Sequence, residues 1–141
     1  MVCSIDGYGD IDDAYARLLA QHAAVLRRVI TDPITAQPLN VGRSYRLAPQ
    51  RMALRVLTRD GQCRFPGCTR PAIPGRVELD HVTAWAAGGA TADANLIVLC
   101  RNHHVAKTGT HWSAAFDPDT AEVTWTNRLL GITLTTTTAW H

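Results

Sequence analysis

Cys63-Arg-Phe-Pro-Gly-Cys68 places two cysteine thiols, separated by four residues, on a Pro-Gly turn. Leu99-Cys-Arg-Asn-His103 adds a thiol and an imidazole separated by two residues. The turn lets the first two sulfurs converge, and positions i and i+3 of a helix share one face. Thiols and imidazoles in this number are the ligands of a structural zinc ion. The sequence therefore predicts a Zn²⁺ site, and its ligands are Cys63, Cys68, Cys100 and His103.

Two alternatives to this ligand set stay open. Two disulfides, for instance 63–68 with 3–100, would use the same thiols, although a reducing compartment disfavours them. His104 is a second candidate for the fourth ligand, although Cys-x2-His is the better chelating spacing. In the favoured interpretation, Cys3 is an unpaired thiol.

The residues between the zinc ligands suggest a second site. Asp80 and His81 lie in a predicted strand, and Asn95 precedes a short apolar run that is also predicted as a strand. His104 follows His103 in a predicted helix, where consecutive side chains point about 100° apart. His104 therefore faces away from a zinc ion that His103 binds.

Asp80 and His104 form a carboxylate and imidazole pair of the kind that binds a catalytic divalent ion. Such a pair leaves coordination positions open for water and a phosphate. His81, with an ordinary imidazole pKa near 6.5, can take a proton from water at neutral pH. A base, a Lewis-acidic ion and phosphate-binding arginines are the components of phosphodiester hydrolysis.

The charge distribution supports a phosphate-binding partner. Between Arg43 and Arg76 there are eight arginines and one acidic residue, Asp60, although the whole chain has a net charge of only +2. A predicted helix from Pro49 to Arg59 places three of these arginines one above another. The alternatives are a solvated basic face or the codon bias of a GC-rich genome. The arginines of that helix are Arg51, Arg55 and Arg59.

Length and composition restrict the fold. The 141 residues suffice for one core, four cysteines are too few for a disulfide scaffold, and no apolar stretch could span a membrane. The acidic N-terminus does not resemble a signal peptide, so we expect a cytoplasmic protein. A helix is predicted over Asp10–Ile30 with Asp10 as its N-cap, and a β-hairpin is predicted over Trp112–Thr126.

These motifs, in this order, resemble the HNH endonucleases, whose site is the ββα-metal (His-Me) finger. The chain is most similar to actinobacterial HNH proteins with a large N-terminal domain of unknown function. The resemblance covers about residues 32–138. It is carried by Cys63-x4-Cys68, Asp80-His81, Asn95-Leu96, Leu99-Cys100-x2-His103-His104-x2-Lys107, Trp112 and Val123-Thr-Trp125-Thr.

The resemblance implies an α+β fold with a small ββα-metal HNH core, a structural zinc site, an N-terminal helical remnant and a C-terminal β-hairpin. It implies three parts: residues 1–47 as the remnant of a larger domain, 48–110 as the nuclease domain and 111–141 as a β extension packed on it.

The resemblance also implies the roles of single residues. Asp80 and His104 would bind Mg²⁺, Mn²⁺ or another divalent ion, His81 would be the general base, and Asn95 would hold the finger through backbone contacts. The partner would be DNA, with no membrane and no small-molecule cofactor. The DNA-binding residues would be Arg51, Arg55, Arg59, Arg64, Arg101 and Lys107.

Two functions are compatible with the sequence. The first is a metal-dependent endonuclease that hydrolyses DNA phosphodiester bonds. The second is an inactive, zinc-stabilised DNA-binding module or mobile-element remnant. It is suggested by the short N-terminal part and by Val105-Ala106, where the family has basic residues. Cleavage of plasmid DNA separates the two. The oligomeric state does not follow from the sequence.

Overall fold

The computed structural model describes residues 3–5, 9–23, 29–35 and 37–140. Within these ranges the chain mixes helices with antiparallel strands, as predicted. No helix there is long and apolar enough to cross a bilayer. The elements are β1 (Cys3–Ile5), β2 (Gly9–Ile11), α1 (Asp13–His22), β3 (Ile30–Thr31), β4 (Pro38–Asn40), α2 (Gln50–Asp60), β5 (Val77–His81), β6 (Leu96–Cys100), α3 (Arg101–Gly109), β7 (Trp112–Phe116), β8 (Val123–Asn127) and β9 (Ile132–Thr136), with 3₁₀ turns at Trp85–Ala87 and Asp93–Asn95.

The N-terminal part differs from the single helix predicted over Asp10–Ile30. Asp12, and not Asp10, caps helix α1, because its carboxylate accepts hydrogen bonds from two amides of the first turn. Asp10 belongs to the β1–β2 hairpin, which the sequence did not predict. Ile30 belongs to the β3–β4 hairpin and not to the end of the predicted helix. Residues 24–28 of the predicted helix lie outside the described residues.

Helix α2 begins and ends one residue later than the predicted helix from Pro49 to Arg59. Pro49 is its N-cap, and Gly61 ends it with a φ of 66°, a left-handed conformation that favours glycine. Met52 and Val56 are buried on the face that packs against β6. The helix therefore buries one apolar stripe, as its sequence pattern predicts.

Strands β5 and β6 form an antiparallel pair that leads directly into helix α3. Asp80 pairs with Ile97 and His81 with Leu96, so Asp80 and His81 lie beside the start of β6. All five residues of β6 are buried, which explains its unbroken apolar sequence. Helix α3 begins at Arg101, immediately after β6, and packs against β5, β6 and β7.

The alternating side chains of β6 divide the core into two clusters. Leu96 and Val98 pack with α2, whereas Ile97 and Leu99 pack with Trp125 and its neighbours in the C-terminal sheet. That sheet has the order β7–β8–β9, with β8 in the centre. The predicted hairpin is therefore confirmed, and the β-prone Thr-rich end supplies a third strand at its edge.

A buried ion pair joins α2 to the cysteine turn. The Arg64 guanidinium lies 2.8 Å from Asp60 Oδ1, and neither side chain is exposed to solvent. Asp60 Oδ2 accepts a hydrogen bond from the Val98 amide at 2.8 Å. The Trp125 indole donates to the Arg64 carbonyl at 2.8 Å. Arg64 is thus a structural residue that ties the cysteine turn to both halves of the core.

Candidate functional site

Three thiols and one imidazole converge next to the start of helix α3. The turn brings Cys63 and Cys68 together, and the first turn of α3 places Cys100 and His103 opposite them. One ligand atom from each residue lies within 4.8 Å of all the others. His103 Nδ1 lies 3.4 Å from Cys63 Sγ and 3.2 Å from Cys100 Sγ. Ligand sulfurs around a tetrahedral zinc ion are about 3.8 Å apart, so the cluster could hold such an ion.

An aromatic ring lies against one side of this cluster. The Phe65 ring stacks on His103 with 4.1 Å between ring centroids and an interplanar angle of 8°. Burial raises the pKa of the Cys63 thiol to about 12, so a cation is needed to hold it as a thiolate. Burial also lowers the pKa of His103, which favours the neutral imidazole that metals bind.

The alternatives left open by the sequence receive no support from this geometry. All four cysteines are free thiols in the described residues. Cys3 lies on β1, where its thiol donates to Asp13 at 3.3 Å, away from the cluster. His104 does not join the cysteines but points to a different set of side chains.

A charged group of side chains lines the other side of α3. His104 Nε2 lies 3.2 Å from Asp80 Oδ1, and His104 Nδ1 bonds to Glu78 Oε2. Lys107 Nζ lies 2.6 Å from Asp80 Oδ2 and donates to the His81 carbonyl at 2.9 Å. These five side chains line a cleft of about 1100 Å³.

The hydrogen-bond partners of His104 determine what can lie between His104 and Asp80. The hydrogen bond from Arg101 lowers the pKa of Glu78, so this carboxylate is ionised and only accepts hydrogen bonds. His104 Nδ1 is therefore the donor, and in the neutral imidazole Nε2 carries a lone pair. That lone pair faces a carboxylate oxygen of Asp80, so a proton or a metal cation belongs between the two atoms.

His81 lies on β5 next to Asp80, and its ring is held by a buried hydroxyl. Its Nε2 lies 2.9 Å from Thr91 Oγ1. The His81 ring also contacts Trp85, with 5.7 Å between centroids. Burial lowers the pKa of His81 below its usual value of 6.5, although the negative charge of Asp80 acts in the opposite direction. The imidazole is therefore neutral at pH 7. A neutral imidazole facing a cleft is able to accept a proton.

Asn95 fixes the loop that follows His81. Its side-chain oxygen accepts from the Thr83 amide at 2.8 Å, and its amide nitrogen donates to the carbonyls of Thr83 at 3.1 Å and Ala90 at 2.8 Å. Gly89 is buried next to this network. A Cβ at Gly89 would lie 1.8 Å from the Thr83 carbonyl oxygen, so only glycine fits.

Comparison with known proteins adds a family to this geometry. Residues 63–110 match the sequence model of the HNH endonuclease family, and they include every cysteine and histidine of the two clusters. Residues 63–110 are therefore similar to an HNH domain. No solved structure matches the chain.

The curated relatives that the chain matches are themselves of unknown function. Uncharacterized proteins MT2160 and Rv2100 of two Mycobacterium tuberculosis strains, CDC 1551 / Oshkosh and H37Rv, are each 42% identical over 77 residues. Uncharacterized protein Rv3776 of strain H37Rv is 39% identical over 77 residues. Each match covers 54% of this chain but only 13–14% of the relative. The chain thus matches a small part of much longer proteins.

The structure corrects part of the predicted DNA-binding set. Arg64 is only 1% exposed, because its guanidinium pairs with Asp60 inside the core, so it cannot reach DNA. Arg55 and Arg59, expected on an exposed face, are half-buried. Arg55 pairs with Asp93, and Arg59 pairs with Asp60 and donates to two backbone carbonyls.

The other three members of that set differ in their exposure and partners. Arg51 is exposed and forms no ion pair among the described residues. Arg101 is exposed but pairs with Glu78 at 2.9 Å. Lys107 is directed to Asp80. Arg46 was not predicted as a site residue, yet it lines the same cleft as His81 and is exposed.

The sequence analysis also missed Glu78, which lines the cleft, and Thr91, which is buried behind His81. Glu78 lies two residues before Asp80, and the period-2 alternation of a strand places both on one face. That alternation was the signal that could have identified Glu78. Thr91 carried no such signal, because its contact with His81 arises from the path of the intervening loop.

Proposed function

We propose that the HNH domain of this chain is a metal-dependent endonuclease that hydrolyses DNA phosphodiester bonds. The observation that carries the proposal is the position of Asp80, His81 and His104 around one cleft, with His104 Nε2 3.2 Å from Asp80 Oδ1. The family match supports the same reaction class. Strands β5 and β6 with helix α3 would then be the ββα-metal finger.

The donor set fits one divalent ion. Two ligand atoms at adjacent corners of an octahedral site are about 3 Å apart when each lies about 2.1 Å from Mg²⁺, close to the spacing of His104 Nε2 and Asp80 Oδ1. Asp80 and His104 would hold Mg²⁺ or Mn²⁺ and leave positions for water and phosphate. When bound, the ion would stabilise negative charge on the phosphate and the leaving oxygen.

His81 would act as the general base. Its Nδ1 forms no hydrogen bond within the described residues and would take a proton from the attacking water. The hydroxide would attack phosphorus, the P–O3′ bond would break, and the released O3′ would take a proton from solvent water. The products would carry a 5′-phosphate and a 3′-hydroxyl. Asn95 would keep the adjoining loop, and with it His81, in place through its three backbone hydrogen bonds.

The cysteine cluster would hold zinc in a structural role. All four positions of a tetrahedral ion are taken by protein atoms, which leaves none for a substrate. A reducing compartment such as the cytoplasm suits this role because zinc binds thiolates and not disulfides. Arg46, Arg51 and Arg101, which reach solvent, would contact the DNA backbone.

Plasmid cleavage tests the proposal. Wild-type protein should nick or cut plasmid DNA with Mg²⁺ or Mn²⁺, and His81→Ala should lower the rate about 100-fold or more. Zinc content and the thermal transition of the variant should match the wild type. His111→Ala, which changes an exposed histidine next to β7, is the matched control and should cleave normally. Undiminished cleavage by His81→Ala would contradict the role of His81.

One contact favours a second candidate, a DNA-binding module without catalysis. The Lys107 ammonium already pairs with Asp80 and competes with a metal ion for this carboxylate. If the lysine keeps that position, the domain would bind DNA in a salt-sensitive manner. It would not cleave DNA, whichever divalent ion is present. Restoration of Mn²⁺ binding by Lys107→Ala would identify this case.

A further inference from the structure

We propose that Thr91 is a positioning residue that holds His81 as the Nε2–H tautomer, through a hydrogen-bond relay that ends at the backbone carbonyl of Arg46. The proposal deepens the proposed function, since it rests on His81 as the general base. It explains which nitrogen of the imidazole is free to take the proton.

The relay has a direction because its last member only accepts. Thr91 Oγ1 lies 3.1 Å from the Arg46 carbonyl oxygen, which has no proton, so the threonine hydroxyl donates its single proton there. The same oxygen lies 2.9 Å from His81 Nε2 and must accept on that side. Nε2 therefore carries the ring proton, and the lone pair of the neutral imidazole is on Nδ1.

The position of Thr91 leaves little freedom for a different arrangement. Its side chain is completely buried. Its backbone amide donates to the Gly42 carbonyl at 2.9 Å, and its carbonyl accepts from the Val41 amide at 3.1 Å. Three hydrogen bonds thus join Thr91 to the segment 41–46. The hydroxyl is held between its two partners by this pairing.

The relay also shows that the site extends beyond the matched family region. Segment 41–46 precedes residues 63–110, which match the HNH family. From the same segment, Arg43 donates to the carbonyls of Trp85 at 2.8 Å and Gly89 at 3.0 Å, and its guanidinium lies 4.0 Å from the centroid of the Trp85 ring. A part of the chain outside the match therefore orients the general base and supports the loop beside it.

The ¹⁵N chemical shifts of the His81 ring test the relay directly. The full-length zinc-loaded protein, labelled with ¹⁵N-histidine, is measured at alkaline pH, where the imidazole is neutral. We expect the Nε2–H pattern in the wild type and in Thr91→Ser, which retains a hydroxyl. Thr91→Val removes the acceptor, and the pattern should shift toward a mixture with Nδ1–H. A wild-type spectrum with the proton on Nδ1 would overturn the proposal without any variant.

Cleavage kinetics give a second readout. Thr91→Val should lower kcat about 10- to 100-fold with little change in KM, and Thr91→Ser should restore most of the rate. A wild type that does not cleave DNA but shows the Thr91-dependent tautomer would contradict the nuclease and leave the relay intact. A wild type that needs His81 for cleavage, with Thr91→Val unchanged in both tautomer and kcat, would contradict the relay alone.

Discussion

His103 and His104 are consecutive residues of one helix, yet they lie in opposite kinds of surroundings. His103 stacks on Phe65 and faces three thiols, whereas His104 lies between the two carboxylates of Glu78 and Asp80 in an open cleft. The helix separates the two environments because its successive side chains point about 100° apart. One helix therefore serves both a structural cluster and a candidate reaction centre.

The difference teaches where the stability and the chemistry reside. The thiol cluster adjoins the core that contains Ile97, Leu99 and Trp125, so a loss there removes support from buried side chains. The cleft is partly exposed and contains several charges, so a single neutral substitution there changes reactivity more than packing. The predictions below test this division.

The largest effect is expected on the thiol side. Cys100→Ser removes one ligand of a site whose binding is worth on the order of 10 kcal/mol in small zinc modules, so the cooperative thermal transition should be lost. Zinc analysis and circular dichroism measure the outcome. Cys3→Ser, outside the cluster, should melt as the wild type does. A folded Cys100→Ser protein with full zinc content would contradict a structural role for the thiol cluster.

On the cleft side, Asp80→Asn should abolish function and preserve the fold. The neutral amide is a weaker metal ligand, so Mn²⁺ affinity should fall and cleavage should drop about 100-fold or more, while zinc content is retained. Electron paramagnetic resonance titration with Mn²⁺ measures binding independently of activity. Asp119→Asn, an exposed change in the β7–β8 turn, is the control. Loss of zinc in Asp80→Asn would show that the two sides are not separable.

Gly89→Ala tests the loop that follows His81 and connects β5 to β6. The added Cβ would collide with the Thr83 carbonyl, and the displacement should cost about 1–3 kcal/mol of folding free energy. Because Asn95 bonds to the same carbonyl, cleavage should fall more than stability does. Denaturant melts and plasmid assays give both values. Gly109→Ala, where a Cβ meets open space, should change neither.

The smallest effect concerns pH. Burial lowers the pKa of His81, and the protonated ring cannot act as a base. Cleavage should therefore fall as the pH drops through that pKa, and the midpoint of this acid limb should lie below pH 6.5. The pH–rate profile of plasmid nicking measures it. A midpoint above the usual histidine value would contradict the description of His81 as partly desolvated.

Much of the fold follows from local patterns in the sequence. The apolar run of β6, the Pro49 and Gly61 boundaries of α2 and the spacing of the metal-type ligands each depend on near neighbours, and the structure has the corresponding elements. The division of the chain at 47/48 and 110/111 and the roles of single site residues stay predictions.

What the sequence could not predict depends on distant partners. Arg64 resembles the other arginines of its segment until Asp60 is placed beside it inside the core. Thr91 meets partners 10 and 45 residues away. Such contacts leave no periodic pattern in the sequence. The burial of Arg64 and the hydrogen bond that orients His81 are therefore seen only in the folded structure.

Asp60 joins three parts of the molecule through its hydrogen bonds. Its carboxylate accepts from Arg64 and from the Val98 amide, and its carbonyl accepts from the Ala139 amide at 3.2 Å. The last residue of α2 is thus hydrogen-bonded to the cysteine turn, to strand β6 and to the C-terminal segment. No one of these parts can open alone without leaving a buried charge short of its partners, so residues 50–140 should unfold in a single all-or-none transition.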